Sequence, residues 1–296
     1  MANQLDTKKN GDYNVNIDDE SFWIRYKEFL LKSVNNRTAL DRINYTKKYS
    51  RILNTGNAQE ILSLPNEKRI HVMKALSALS KFVGLYERWR NIINNYQLKW
   101  SNDNTLDIFK NIIIDHDKSY DSMLAWLKKV IHQSDIKQEY RNILLFTTLT
   151  GLRQSEALES QKMIKNDTQN YINNNTMLLE HFRFPEYFIR KTKKAYISIV
   201  NEKILELARD STSLNSYRSL LSGIKRRNLN CDVHTKYCRK IFATFLRNNG
   251  IEQEIIDLLQ GRIPKSVFVR HYYRPDLERF DKIRDLLDKL YYQIIL

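Results

Sequence analysis

At 296 residues the chain has room for two compact domains of roughly 150 residues each, and its 42% hydrophobic content excludes wholesale disorder. It carries 49 Lys and Arg against 34 Asp and Glu, a formal charge of +15, which points to a polyanionic partner: nucleic acid first, an acidic membrane surface second. No run approaches the roughly 18 apolar residues of a membrane span, and two cysteines, Cys231 and Cys238, make neither a disulfide framework nor a zinc knuckle.

Met1 to Asn10 is polar and lacks a secretory core, so the chain reads as soluble and intracellular. Only 7 Gly and 4 Pro occur, too few tight turns for a many-stranded β architecture. The expected fold is mainly α with a small antiparallel β-sheet.

Residues 1–20 read as a mobile polar arm. From Ser21 a helical period begins, with Phe22, Trp23, Tyr26, Phe29 and Leu30 at three- and four-residue steps. Further helices are expected over 38–53, 57–63, 66–84 and 85–99, with Pro65 placed where its missing N–H costs little. The segment 21–100 holds 15 Lys and Arg against 5 Asp and Glu. A solvated surface accounts for any one of these cations, but a net charge of ten on an 80-residue bundle marks a helical DNA-clamping domain.

Ser101-Asn102-Asp103-Asn104-Thr105 reads as the linker to a second domain over 105–296. There, helices are expected over 119–133 and 135–149, then short strands over 177–183, 187–191 and 195–200. The last two strands flank Lys191-Thr192-Lys193-Lys194, a hairpin turn with lysines at its tip. Helices return over 201–209, 213–227, 234–248, 251–259, 264–273 and 276–293.

Three stretches carry chemistry. In Thr150-Gly151-Leu152-Arg153-Gln154-Ser155-Glu156-Ala157-Leu158, Gly151 breaks an apolar helix and Arg153 opens the next. An arginine there joins backbone N–H groups in gripping phosphate, while Glu156 orients the neighbouring helix or pairs with a basic group. Alone, an ordinary helix cap explains this stretch equally well. In the helix from His234 to Leu246, Lys236 and Arg239 share a face while Ile241, Phe242, Phe245 and Leu246 face a core. Two such cations repel unless an anion joins them. In the third, Gly261 allows a turn that presents Arg262, and Tyr272 follows ten residues later.

Taken in order, these residues resemble the tyrosine recombinases, the lambda-integrase family that shares its chemistry with type IB topoisomerases. The family's T-G-x-R-x-x-E-x-L segment is matched by Thr150 to Leu158. Its H-x-x-R-H-x-F-A-T-x-L helix is matched by Lys236 to Leu246, with Phe242-Ala243-Thr244 identical. Its L-G-H segment and nucleophile correspond to Gly261-Arg262 and Tyr272, and its hairpin lysine to Lys193, with Lys191 and Lys194 as alternatives. Lys236 and Arg262 stand where the family commonly has histidines, a pattern most like archaeal virus and plasmid integrases of the fusellovirus type. The replacements keep donors and positive charge but give up a group that titrates near neutrality. The similarity spans roughly 119–275, and the first bundle takes the family's core-binding-domain position.

The resemblance implies a site-specific recombinase that integrates and excises an archaeal mobile element, without metal or other cofactor. Arg153 and Arg239 would clamp the phosphate, with Lys236 and Arg262 as further phosphate ligands. Tyr272 would attack phosphorus and Lys193 would protonate the departing 5′-oxygen. Partners would be double-stranded DNA at attachment sites, a Holliday junction, and further copies of the chain in a tetramer, in the cytoplasm on the nucleoid. Tyr273 reads as packing. The final helix, 276–293, with Leu277, Phe280, Ile283, Leu287 and Leu290 on one stripe, either packs on its own core or docks on a neighbouring protomer. The alternatives are a type IB topoisomerase-like enzyme and a catalytically inactive DNA-binding regulator on the same fold. A metal-dependent nuclease is disfavoured, since no H-E-x-x-H or closely spaced carboxylate cluster occurs.

Overall fold

The computed structural model describes residues 20–100, 119–190, 193–211, 234–263 and 266–296, together with Thr105, Phe109 and Ser222. The arm up to residue 19, most of the expected linker and helix 213–227, Cys231, and the hairpin residues Lys191 and Thr192 lie outside the described residues. The chain divides into two compact units, Met1–Phe109 and Lys110–Leu296.

The first unit is a bundle of α1 (Glu20–Leu31), α2 (Asn36–Tyr49), α3 (Arg51–Thr55), α4 (Gln59–Leu62), α5 (Asn66–Phe82) and α6 (Tyr86–Asn95). Phe22, Tyr26 and Leu30 recur every four residues, so α1 buries one stripe. Asn35 starts α2 by accepting the Thr38 N–H at 2.9 Å, the expected role of an asparagine cap. The helix expected over 38–53 is interrupted at Ser50, which keeps right-handed helical dihedrals, and ends at Gly56, whose φ of 75° suits glycine. Tyr26 ties three helices together. Its hydroxyl meets Thr46 Oγ1 on α2 and donates to the Ala75 carbonyl on α5, each at 3.3 Å, and burial pushes its pKa up to about 12. Fully buried Trp89, Ile52, Leu53, Ile61, Met73, Leu76 and Leu79 complete this core.

The second unit packs α7 (Tyr120–Ile131), α8 (Gln138–Thr150), α9 (Gln154–Lys165), α10 (Pro185–Phe188), α11 (Glu202–Arg209), α12 (Lys236–Asn248), α13 (Gln253–Leu259), α14 (Val267–His271) and α15 (Leu277–Ile295). Its small antiparallel sheet runs β1 (Ile172–Asn173), β2 (Leu178–Leu179) and β3 (Ser198–Ile199), with Ile172 opposite Leu179 and Leu178 opposite Ile199. The mainly helical fold with a small sheet is therefore as expected, but its strands are placed differently.

Within 177–183 only Leu178 and Leu179 pair. His181–Arg183 turns as a 3-10 helix, and Pro185 then opens the helical turn α10 where a strand was expected. Proline lacks a ladder donor and presets a helical φ, so the aromatic alternation of Tyr187-Phe188-Ile189 wraps a turn instead of pleating. Among the described residues of the hairpin, Ile189 and Lys194 form an antiparallel bridge. β1 has no counterpart among the expected strands. Two residues are too few for periodicity to register, and the turn behind them is built by the Asn173 side chain, which accepts the N–H groups of Asn175 and Thr176 at 3.2 Å.

The final helix packs into its own unit. Ile283, Leu286, Leu287, Leu290 and Ile294 are buried in the main core beside residues of α7, α8 and α12. Polar latches reinforce the seat: Arg284 donates to the Thr176 carbonyl at 3.0 Å, Tyr120 to Gln293 at 3.2 Å, and Lys203 to Asp288 at 3.1 Å.

Candidate active site

Two glycines and two helix starts create the site. Gly151 ends α8 in the left-handed conformation (φ 62°), and a Cβ there would stand 2.4 Å from Phe242 Cδ1 on α12. Only glycine lets α8 and α12 meet this closely. The chain then turns into α9, whose cap is Arg153 itself. Glu156 folds back on that cap: its Oε2 accepts the Arg153 backbone N–H at 3.0 Å and its Oε1 the Arg153 guanidinium at 2.9 Å. Glu156 is 1% exposed, and the same Oε1 accepts Arg190 Nη2 at 3.1 Å. This answers its charge with two guanidiniums, as a buried carboxylate requires.

Arg153 also donates to the Lys194 carbonyl at 2.9 Å, which ties the lysine hairpin to the head of α9. The hairpin is held from the other side by Gly261. At φ 70°, a Cβ on Gly261 would fall 1.6 Å from the Lys194 carbonyl oxygen. Lys193 is exposed, and its carbonyl accepts the Arg190 N–H at 2.9 Å.

Arg239 lies one turn into α12. Its guanidinium donates to the Gly151 carbonyl at 2.9 Å and to the Gln260 carbonyl, and Gln260 returns a bond to the Arg239 carbonyl at 3.1 Å. Arg239 thus stitches the end of α8 to the turn after α13. Burial first, then repulsion from Arg153 and Arg262, depresses its pKa to about 10, against the pull of Glu156 and Asp257. Arg262 is fixed by Asp257, which accepts its guanidinium at 3.3 Å and its backbone N–H, through the main-chain carbonyl, at 2.7 Å. Arg153, Arg239 and Arg262 therefore form one electrostatic cluster contributed by three elements far apart in sequence.

Lys236 opens α12 one turn before Arg239 and is exposed. Tyr272 ends α14, 72% exposed, with its ring edge-on to His271 at 6.5 Å. Among the described residues its hydroxyl makes no hydrogen bond to the arginine cluster. Tyr273 is half-buried against the main core, and burial, then Glu254 and Asp276, raises its pKa.

Residues 122–281, 160 of the 296, match the family described as archaeal phage integrase. The chain belongs to that family. Over 96 residues it is also 29% identical to a tyrosine recombinase of Thermosipho africanus (strain TCF52B), a match that covers 31% of this chain and 34% of that protein. The chain thus aligns with about a third of that relative's length. The integrase match encloses Arg153, Lys193, Lys236, Arg239, Arg262 and Tyr272, and leaves the first unit outside it.

Sequence reasoning passes over two residues that pair within the arginine cluster. Arg190 reads there only as a strand residue, and Asp257 as part of an amphipathic helix. Asp257 has a local signal, a carboxylate five residues before Arg262 across a glycine turn; Arg190 has none, since its partner lies 34 residues away. The first unit carries its own polar feature, a groove of about 220 Å³ lined by Arg42, Lys74, Lys81, Ser33, Ser77 and Trp100, among others. No helix among the described residues is long and apolar enough to cross a membrane.

Proposed function

We propose that this integrase-family chain is a site-specific DNA recombinase that cuts and rejoins strands through a 3′-phosphotyrosine intermediate, serving the integration and excision of an archaeal mobile element. The observation that carries the reading is the convergence of Arg153, Arg239 and Arg262, each braced by a carboxylate or by main-chain carbonyls, beside a lysine hairpin. Braced guanidiniums cost little reorganisation when negative charge develops on a phosphate, and such preorganised donors usually supply the largest catalytic term.

Arg153 and Arg239 clamp the non-bridging oxygens, and Arg262 and Lys236 add donors. The Tyr272 oxygen attacks phosphorus and its proton passes to water. The bond from phosphorus to O5′ breaks, and O5′ keeps the electron pair and takes a proton from the Lys193 ammonium. The phosphotyrosine bond stores the phosphodiester for rejoining, so neither ATP nor divalent metal is consumed. The exposure of Tyr272 and the packing of Tyr273 support Tyr272 as nucleophile.

The first unit serves as a core-binding domain, its groove cations taking backbone phosphates. Strands are exchanged in pairs by a tetramer through a Holliday junction. A type IB topoisomerase would share the chemistry without exchanging partners, and recombination between paired sites separates the two.

The test is label transfer from attachment-site DNA in EDTA with an SDS quench, run on wild type, Tyr272→Phe and Tyr273→Phe. Adduct lost only in Tyr272→Phe is the expected result. No wild-type adduct on a suicide duplex that is nevertheless tightly bound would leave the inactive regulator as the better reading.

A further inference from the structure

The lysine hairpin is held to the arginine cluster at both arms, by different means. The second arm is fixed through its backbone, with Arg153 donating to the Lys194 carbonyl at 2.9 Å and Gly261 pressed against that same carbonyl. The first arm, bridged to the second at Ile189 and Lys194 and seated by buried Phe188, reaches the cluster through the Arg190 side chain, whose Nη2 lies 3.1 Å from Glu156 Oε1. That oxygen is the one Arg153 also uses, at 2.9 Å. The Arg190 N–H donates to the Lys193 carbonyl at 2.9 Å, so Arg190 and Lys193 are tied directly to each other.

An exposed ion pair contributes little to stability, and the Arg190 side chain is 40% exposed. Its partner, however, is completely buried and also pairs with Arg153. The Arg190 bond is the second of the two that answer the Glu156 charge, and it also ties the first arm of the hairpin to that carboxylate. Without it the first arm keeps its bridge to the second but loses its own tie to the clamp. Reaction rates are sensitive to small displacements, since a misplacement of about 1 Å can cost on the order of 100-fold.

We propose that Arg190 is a positioning residue: by sharing the Glu156 carboxylate with Arg153 it locks the hairpin to the phosphate clamp and so delivers the Lys193 ammonium to O5′. This rests on the recombinase reading and on Lys193 as the acid. In the step concerned, the tyrosine oxygen bonds to phosphorus, the bond to O5′ breaks, and the proton on the new 5′-hydroxyl comes from Lys193. A 5′-bridging sulfur in place of O5′ leaves as a thiolate and needs no such proton.

The experiment measures single-turnover adduct formation on two duplexes captured covalently by the wild-type protein from a random library, one with O5′ and one with S5′ at the scissile position. Wild type, Arg190→Ala, Arg190→Lys and Lys193→Ala are compared. Arg190→Ala should lose roughly 10- to 100-fold on the oxygen duplex, within what general acid catalysis supplies, yet stay within about 3-fold of wild type on sulfur. Lys193→Ala should show the same selective rescue by sulfur, and Arg190→Lys should recover part of the oxygen rate. Equal losses on both duplexes, or none on either, would overturn the positioning role while leaving the recombinase standing. Failure of Lys193→Ala to be rescued by sulfur would overturn it too. If wild type captures no duplex covalently from the library, with O5′ or with S5′, the recombinase reading falls and takes this inference with it.

Discussion

The base of the hairpin rests on a buried histidine, and this makes the second unit sensitive to mild acid. His181 is fully buried, with Nδ1 2.8 Å from the Tyr171 hydroxyl and Nε2 2.9 Å from Ser198 Oγ, while Tyr171 donates to Ser160 at 2.7 Å. Phe188, at the foot of the hairpin, packs on its ring at 4.5 Å, and the Phe182 N–H donates to the Tyr196 carbonyl at 3.0 Å. Burial lowers the His181 pKa from 6.5 to about 3. The folded state thus refuses a proton that the unfolded chain accepts. The stability of the neutral ring is intact above about pH 6.5 and is lost progressively as pH falls toward 3.

At pH 5 the loss is RT ln(1 + 10^1.5), or about 2 kcal/mol. For a unit of this size that lowers Tm by roughly 4–8 °C. The part of this window between pH 6.5 and 5 lies above the range of ordinary carboxylates, and Glu180, held down by Asn173 and Arg183, titrates lower still. The assay is urea unfolding of the full chain at pH 7.5 and pH 5, for wild type and His181→Gln. The variant is less stable at both pH values, but the gap between the two proteins should shrink by about 2 kcal/mol at the lower pH. A gap that does not change with pH would refute the reasoning, because the histidine would then not be carrying the proton linkage.

Gly261→Ala should separate binding from chemistry: the added methyl collides with the Lys194 carbonyl at 1.6 Å and must push the hairpin off the arginine cluster. Adduct formation should drop by on the order of 100-fold while DNA affinity changes only a few-fold, and near-normal cleavage would show that the hairpin's seat on the cluster is dispensable. In the first unit, Lys74→Ala with Lys81→Ala removes two cations from the groove. The slope of log K against log salt should fall in magnitude by about 2, at roughly 0.9 for each phosphate left without its cation, and an unchanged slope would put the DNA elsewhere.

Legibility in the sequence follows the range of the interactions. Helices with a repeating apolar stripe can be read directly, because Phe22, Tyr26 and Leu30 on α1, or Ile283, Leu287 and Leu290 on α15, need no partner to declare a face. The sheet cannot be read this way, since its strands are two residues long and their pairing is decided by an asparagine turn and by what Phe188 buries against. At the site, the segments holding Arg153 and Arg262 each join a glycine turn to a cation, and the one holding Arg239 sets a cation on a helix with an apolar face. Their connections carry no such local pattern. That Arg239 spans from Gly151 to Gln260, or that Arg190 shares an oxygen with Arg153, depends on hydrogen bonds across 88, 21 and 34 residues. The apolar stripe of α15 leaves open whether it serves its own core or a neighbour, because periodicity reports that a face is buried and not what buries it.

The same connections explain why a cluster of cations is stable with no anion bound. Among the described residues, Arg153, Arg190, Arg239 and Arg262 face two carboxylates, Glu156 and Asp257, so these six groups keep an excess of two positive charges. The carboxylates are spent on geometry. Glu156 fixes Arg153 and Arg190, Asp257 fixes Arg262, and Arg239 is fixed by carbonyl dipoles and receives no carboxylate of its own. Its pKa of about 10 is the record of that imbalance, since burial and neighbouring guanidiniums both disfavour its charge. On the recombinase reading, a phosphodiester brings one negative charge and its five-coordinate transition state brings two, which matches the excess. The attraction therefore grows as the reaction proceeds, and binding that strengthens toward the transition state is the kind that accelerates chemistry. A third carboxylate beside Arg239 would make the free protein more comfortable and the catalyst worse.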